Sequence, residues 1–171
     1  MLTKDGEGGA EIYSVATKKE QAKIVWEEAK RMVKQSPQLS KRIRTLVTGM
    51  HYDKTNSVFK ALASESNSLD GLNTSFCICD EIHAWKDKNL LDVMYDSMSA
   101  RQQPLLLETS TMGTIRQNVF DIEYDYASQV IDGTITDEVL LPIIYELDEE
   151  KRGFIKIKDN ENNFYYNEQK C

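Results

Sequence analysis

The residues best suited to chemistry in this 171-residue chain are two adjacent acids, Asp80 and Glu81, which end the apolar run Phe76-Cys77-Ile78-Cys79. Carboxylates cost free energy if they enter a core unpaired, so an acid pair at the end of such a run belongs at an edge. The carboxyl edge of a parallel sheet, where ligands bind, is the natural place. There one carboxylate can hold Mg²⁺, directly or through water, because this hard cation takes oxygen ligands. The next can orient and deprotonate an attacking water. Together they spell the Walker B pattern of nucleotide hydrolases. The other reading of the same residues is a strand that ends in a solvated Asp-Glu pair.

A second apolar run, Leu105-Leu106-Leu107, leads into Glu108-Thr109-Ser110-Thr111-Met112-Gly113. Hydroxyls at the end of a neighbouring strand can hydrogen-bond a γ-phosphate or its water and report hydrolysis to a moving element. The same residues can cap the helix that follows, and the two roles are compatible. Arg101 precedes this strand and is the remaining cationic candidate, able to reach a phosphate or a neighbouring subunit's active site. Its alternative is to cap a helix C-terminus or pair with an acid. Asp80-Glu81-Ile82-His83 also matches the Asp-Glu-x-His box of helicases, in which His83 would link hydrolysis to a nucleic-acid site. Cys77 and Cys79 alternate along the strand and share a face. Metal ligation would need further ligands, and His51 and His83 are the only histidines, so both cysteines read as small buried residues.

The elements that must position these residues alternate between strand and helix signals, which implies an α/β fold with a largely parallel sheet flanked by helices. Glu11 to Ala16 is the first strand candidate. Thr17 and Glu20 have capping-box spacing, and Ala22, Val25, Trp26, Ala29, Met32 and Val33 form a helical apolar stripe that Pro37 stops. Ile43 to Thr48 and Val58 to Leu62, separated by polar Asp53 to Ser57, predict a β-hairpin excursion. Ser68 to Asn73 is turn-rich. Ser75 to Cys79 suits a strand buried on both faces. Leu90, Leu91, Met94, Tyr95 and Met98 mark another helix, which Pro104 closes, and Leu105 to Leu107 starts a further buried strand. Ile115, Val119, Ile122 and Tyr126 mark a helix ending near Gly133. Val139 to Leu147 is the last strand candidate, held to a sheet edge by Pro142. Residues 150–171 are charged and Asn-rich, with weak structural signals.

Composition bounds the rest. With 40% hydrophobic and 29% charged residues, the chain is globular, neither disordered nor fibrous. No apolar run approaches the roughly 18 residues that span a bilayer. The opening residues lack the order of a signal peptide and three cysteines are too few for a disulfide scaffold, so the chain reads as cytosolic. The net charge of −7 argues against a wholly basic, nucleic-acid-coating surface. Residues 18–44, however, carry nine Lys or Arg against three acids. That stretch is either a solvated helix and loop or a surface that meets DNA phosphate or an acidic partner.

Several blocks, in order, carry a resemblance. They are Ala10 to Ala22, Leu69-Asp70-Gly71-Leu72-Asn73, Cys79-Asp80-Glu81-Ile82-His83, Ala100 to Pro104, Ser110-Thr111-Met112-Gly113, Tyr124-Asp125-Tyr126-Ala127 and Ile144 to Asp148. Through them the chain resembles the ATPase domain of the large subunit of phage terminases, over roughly residues 6 to 150. The resemblance implies an incomplete P-loop NTPase-like sheet over residues 1–149, with 150–171 a divergent tail. It implies ATP hydrolysis with Mg²⁺ in a bacterial host's cytoplasm, with Asp80 assisting the metal, Glu81 as the base, and Ser110 and Thr111 coupling hydrolysis to DNA movement. The implied partners are double-stranded DNA, the terminase small subunit and the portal, with no membrane. The sequence contains no Gly-x-x-x-x-Gly-Lys-Ser/Thr, so the resemblance implies a phosphate loop before residue 1 and a nuclease domain after the chain. The missing phosphate-loop strand would lie between Leu105 and Ile143. Without it, the last strand is expected to slide inward onto Leu105 to Leu107, with self-association of two chains as the second outcome and detachment of the segment after Gly133 as the third. A helicase-like translocase fragment and a non-catalytic interaction module are the rival functions.

Overall fold

A computed structural model describes residues 2–4, 6–63, 69, 71–113 and 118–146, with the backbone of 155–158 and 164–167. The chain forms two compact units, Met1–Ile122 and Glu123–Cys171.

The first unit is an α/β fold, as the alternation of signals implies. Its strands are β1 (Glu11–Ala16), β2 (Arg44–Thr45), β3 (Met50–Tyr52), β4 (Ser57–Ala63), β5 (Thr74–Asp80) and β6 (Leu105–Thr109). They make one sheet in the order β2-β3-β4-β1-β5-β6. β4, β1, β5 and β6 run parallel, while β2 and β3 add an antiparallel edge. Because neighbouring side chains of a strand point to opposite faces, β1 feeds two cores. Ile12 packs with Trp26, Val33, Ile43, Met50 and Phe59 on one face. Tyr13 and Val15 pack on the other with Cys77, Cys79, Ile82, Trp85 and the residues of α3 (Asn89–Asp96).

Helix α1 (Lys19–Gln35) covers the first face through Ala22, Trp26 and Val33. Two buried side-chain bonds fix it there: the Trp26 indole donates to the Phe59 carbonyl at 3.2 Å, and the Ser14 hydroxyl donates to the Ala22 carbonyl at 2.8 Å. Ser36 ends α1, and Pro37 opens the short helix α2 (Pro37–Ser40). The capping box does not form. Lys18 is the N-cap and no side chain caps it, and the Thr17 hydroxyl bonds Gln21 Oε1 at 3.3 Å instead. Met32 belongs to the apolar stripe by spacing yet is 65% exposed, and Tyr95 of α3 is exposed as well.

The expected hairpin excursion is part of the main sheet. β4 lies between β1 and β3, and its antiparallel partner is Met50–Tyr52 rather than Ile43 to Thr48, of which only Arg44–Thr45 is strand. Leu105 to Leu107 is not buried: β6 is the sheet edge, with Leu105 50% and Leu107 43% exposed. The inward slide is also overturned, since residues 139–146 form no strand. The chemistry of that segment explains why. Pro142 has no N–H, and the N–H groups of Val139 and Leu140 already donate to Asp137 Oδ1 at 2.8 and 3.0 Å.

Helix α4 (Val119–Ile131) ends as expected just before Gly133, which adopts a left-handed φ of +81°. Ile115, placed in this helix by its spacing, lies outside the described residues, as do Ser68, Asp70 and Leu147. Beyond residue 150, where the sequence shows little signal, β7 (Ile155–Lys158) and β8 (Phe164–Asn167) form an antiparallel pair. No helix among the described residues is long and apolar enough to cross a membrane.

Candidate active site

β5 carries Asp80 to the carboxyl end of the sheet, and β6 runs parallel beside it with Asp80 opposite Thr109. The register brings the two motifs together, since the acids and the hydroxyl loop leave neighbouring strands at the same edge. The Thr109 hydroxyl donates to Asp80 Oδ1 at 2.7 Å, and the Glu81 N–H donates to the same oxygen at 3.1 Å. Both bonds fall on Oδ1, so Oδ2 keeps its lone pairs for a cation or the water of a cation's shell. A carboxylate oxygen and a hydroxyl suit Mg²⁺, which is usually held by one or two carboxylates together with substrate phosphates. Among the described residues no three His, Cys, Asp or Glu side chains gather into a metal cluster. The donor set, one carboxylate oxygen and one hydroxyl, fits an ion of that kind.

Glu81 is one of two described non-glycine residues with positive φ, at φ 56° and ψ 46°. For a residue with a Cβ, this left-handed conformation costs ~1–3 kcal/mol and persists only where the surroundings enforce it. Here the enforcement is visible. Asp80 holds the Glu81 N–H, the carbonyl of Glu81 accepts the Ala84 N–H at 2.9 Å, and the Trp85 indole donates to the Asp80 carbonyl at 3.2 Å. Buried Ile82 and Trp85 anchor the turn Ile82–Ala84 to the core. The strained residue is the one whose side chain must leave the strand direction and face the edge.

The Glu81 carboxylate, half exposed, meets His83 Nδ1 at 3.0 Å. His83 in turn meets the hydroxyl loop: its N–H donates to Ser110 Oγ at 3.1 Å, and Nδ1 lies 3.2 Å from the same oxygen. Ser110 Oγ donates to the Thr111 carbonyl at 3.0 Å. Asp80, Glu81, Ser110 and Thr111 thus lie at one edge of the sheet, and Thr109 and His83 join them. Sequence reasoning includes Thr109 in the hydroxyl cluster and His83 in a helicase-type box, yet gives neither this role. The signal that could have found them is register: two parallel strands ending together put the residue after the first apolar run opposite the residue after the second.

Arg101 is not brought to this edge of its own chain, and its side chain takes the alternative role of pairing with carbonyls and an acid. Its guanidinium lies at the opposite end of β5, where Nε and Nη2 donate to the Asn73 carbonyl at 3.1 and 2.8 Å. Nη2 also donates to the Gly9 carbonyl at 2.7 Å and Nη1 to that of Gly8 at 3.3 Å, and Glu7 lies 3.7 Å away. The seven-residue strand β5 separates Asn73 from Glu81, roughly 26 Å at the rise of a strand. The side chain is 5% exposed and fully engaged.

The cysteines share a face as their spacing implies, with Sγ atoms 3.6 Å apart in the core. The hydrogen bond with Cys77, and then burial, push the Cys79 thiol far above the ordinary range, so it stays protonated. The basic stretch 18–44 is partly neutralised: Lys30 pairs with Glu27 and lies over the Trp26 ring, Arg31 pairs with Glu28, and Arg44 with Asp53. Such exposed pairs are worth little to stability, but they reduce the positive charge that this face presents.

A sequence profile of the terminase large subunit ATPase domain matches residues 1–129. Among solved structures, the chain is similar to the large terminase of bacteriophage HK97, with a TM-score of 0.73 and 22% identity over 94% of this chain and 32% of that one. It is also similar to an arginine-to-alanine variant of the large terminase ATPase domain of Thermus phage P74-26. There the TM-score is 0.50 and the identity 16%, over 64% of this chain and 51% of that one. The chain thus spans about a third of the HK97 protein and half of the P74-26 domain. No curated protein matches it.

Proposed function

Because the chain belongs to the family of terminase large subunit ATPase domains, we propose that it supplies the catalytic-base half of an ATP-hydrolysing site that drives DNA packaging. The observation that supports this most is the convergence of Asp80, Glu81 and Ser110 at the carboxyl edge of a parallel sheet, with Glu81 held in a strained backbone conformation. In this reading Asp80, fixed by Thr109, would hold the Mg²⁺ that accompanies the nucleotide, which would supply charge neutralisation at the phosphates. Glu81 orients the attacking water and accepts its proton. Ser110 and Thr111 sense the γ-phosphate end of the site and pass its loss to the rest of the motor.

Phosphoryl transfer depends chiefly on positioning and charge stabilisation. These four residues supply the water and metal side of that arrangement, and a phosphate-cradling loop must supply the other. The whole protein would then act in the cytoplasm of a bacterial host on double-stranded DNA, with a terminase small subunit and a portal as partners. The deciding experiment is Glu81→Gln in the intact large subunit. It keeps shape and removes the base, so turnover falls by ~10²-fold or more while Mg-ATP affinity stays within about twofold. Near wild-type turnover would overturn the assignment. Asp80→Asn differs in kind, since Mg-dependent affinity falls along with turnover.

A further inference from the structure

His83 touches more of the candidate site than any neighbour of Glu81. Its ring meets the Glu81 carboxylate, and its N–H meets Ser110. Its carbonyl accepts the Asn118 amide at 2.7 Å, at the start of α4. Its side chain also lies close against Gly113, where an added Cβ would fall 2.9 Å from His83 Cβ and 3.0 Å from Cδ2. Those distances are too short for any side chain at 113. One residue therefore contacts the base, both ends of the hydroxyl loop and the helix beyond it.

The hydrogen-bond roles are determined by the partners. Ser110 has one hydroxyl hydrogen, directed at the Thr111 carbonyl. Its oxygen must then accept from both the His83 N–H and Nδ1, and the Glu81 carboxylate can only accept. Nδ1 therefore carries the proton and shares it between Glu81 and Ser110. In solution a neutral imidazole divides its proton between its two nitrogens, and it is the bond at one ring nitrogen that selects the tautomer.

We infer that His83 is a positioning residue that ties the orientation of the Glu81 carboxylate to the position of loop 110–113. While the loop sits as seen, the carboxylate is held back against the imidazole. Movement of Ser110 and Gly113 removes the contacts that fix the imidazole, so the ring and the carboxylate bonded to it can turn together toward water. Base orientation and loop position are thereby one event, which couples hydrolysis to a mechanical element without any contact between loop and base. The inference rests on Glu81 being the base.

Two measurements test it. In this chain, long-range ¹⁵N–¹H spectra of the imidazoles, where His51 is the only other signal, should show His83 protonated at Nδ1. Glu81→Ala or Gly113→Ala should shift it toward the ordinary mixture. A His83 pattern that is Nε2-protonated at the start, or that ignores both substitutions, overturns the inference. In the intact large subunit, His83→Ala should change kcat on the order of 10-fold or more while KM for ATP stays within about twofold. His83→Asn, whose amide nitrogen overlays Nδ1, should recover most of that change. If Glu81→Gln abolishes turnover while His83→Ala leaves kcat intact, the coupling fails and the base assignment stands. If Glu81→Gln leaves turnover, the base assignment fails first.

Discussion

Arg101 allows the sharpest separation of a structural from a catalytic role. Its guanidinium places four N–H groups within 2.7–3.3 Å of three carbonyl oxygens, those of Gly8, Gly9 and Asn73, with Glu7 at 3.7 Å. Glu7 also accepts the Gln102 N–H at 3.0 Å, so the cluster joins the Gly-rich N-terminal loop, the entry to β5 and the approach to β6. Hydrogen bonds to a charged group contribute ~1.5–3 kcal/mol each. The four contacts converge on three acceptors and are not independent, so their simple sum overstates the effect. Removing one partner from a buried charged network costs ~3–5 kcal/mol, and that is the expected loss for Arg101→Ala. At ~2–4 °C per kcal/mol for a chain of this size, the unfolding transition of the unit Met1–Ile122 should fall by about 6–20 °C. Arg101→Lys should fall part of the way, because an ammonium cannot reach three divergent carbonyls from one stem. Calorimetry on this chain gives the shift, and ATP turnover of the intact subunit, measured well below the lowered transition, gives the chemistry. An unchanged transition together with lost turnover would refute the reasoning and return Arg101 to the active site.

Three further outcomes follow from the same structure. Residues 1–171 alone, lacking a Gly-x-x-x-x-Gly-Lys-Ser/Thr loop, should bind Mg-ATP no tighter than ~100 µM, since the N–H cradle and lysine supply most of the phosphate contacts; micromolar affinity by calorimetry would contradict this. In the monomer, amides of Leu105–Thr109 that face β5 should be protected from hydrogen exchange while those on the open edge exchange fast. If the chain self-associates, Leu107→Lys should suppress it by placing a charge on the edge strand, and uniform protection of β6 in the monomer would show that something already covers it. Asp137 should titrate below the ordinary carboxylate range, because the Val139 N–H, the Tyr126 hydroxyl and the Leu140 N–H all donate to it. A depressed folded-state pKa means that this contribution is complete above the unfolded carboxylate value near ~3.9 and is lost as pH falls through the folded one. A ¹³C-carboxyl titration with an ordinary or raised midpoint would rule that cap out.

Periodicity made most of the fold legible. β1, α1, β5 and α3 are long or strongly patterned and lie where their apolar residues imply, with β1 and β5 flanked on both sides. Two of the misreadings share one cause. Leu105-Leu106-Leu107 has the composition of a buried strand and Val139 to Leu147 that of an edge strand, but pairing depends on a neighbour, and no composition states whether that neighbour is present. Leu105 and Leu107 are exposed because β6 has only β5 beside it. Val139 and Leu140 spend their N–H groups on Asp137 and so are lost to a ladder. The pair β3-β4 was hidden for a different reason. Met50–Tyr52 is three residues long, too short for alternation to register against its surroundings.

The site was legible as residue types and illegible as geometry. An acid pair after a buried run and a hydroxyl cluster after the next run both mark a sheet edge, because both depend on what such an edge permits. What holds them is not written locally. Thr109 binds Asp80 only because β5 and β6 end in register, and His83 reaches Ser110 only because Glu81 takes a left-handed turn that redirects the chain. Arg101 shows the converse. Its position before the second strand suggested the catalytic edge, but a parallel strand is entered from the end opposite its ligands. A cation preceding β6 therefore lies at the amino edge, where carbonyls of Gly8, Gly9 and Asn73 face it. In a parallel sheet, residues after a strand are the ones to weigh as catalytic, and residues before it as pins.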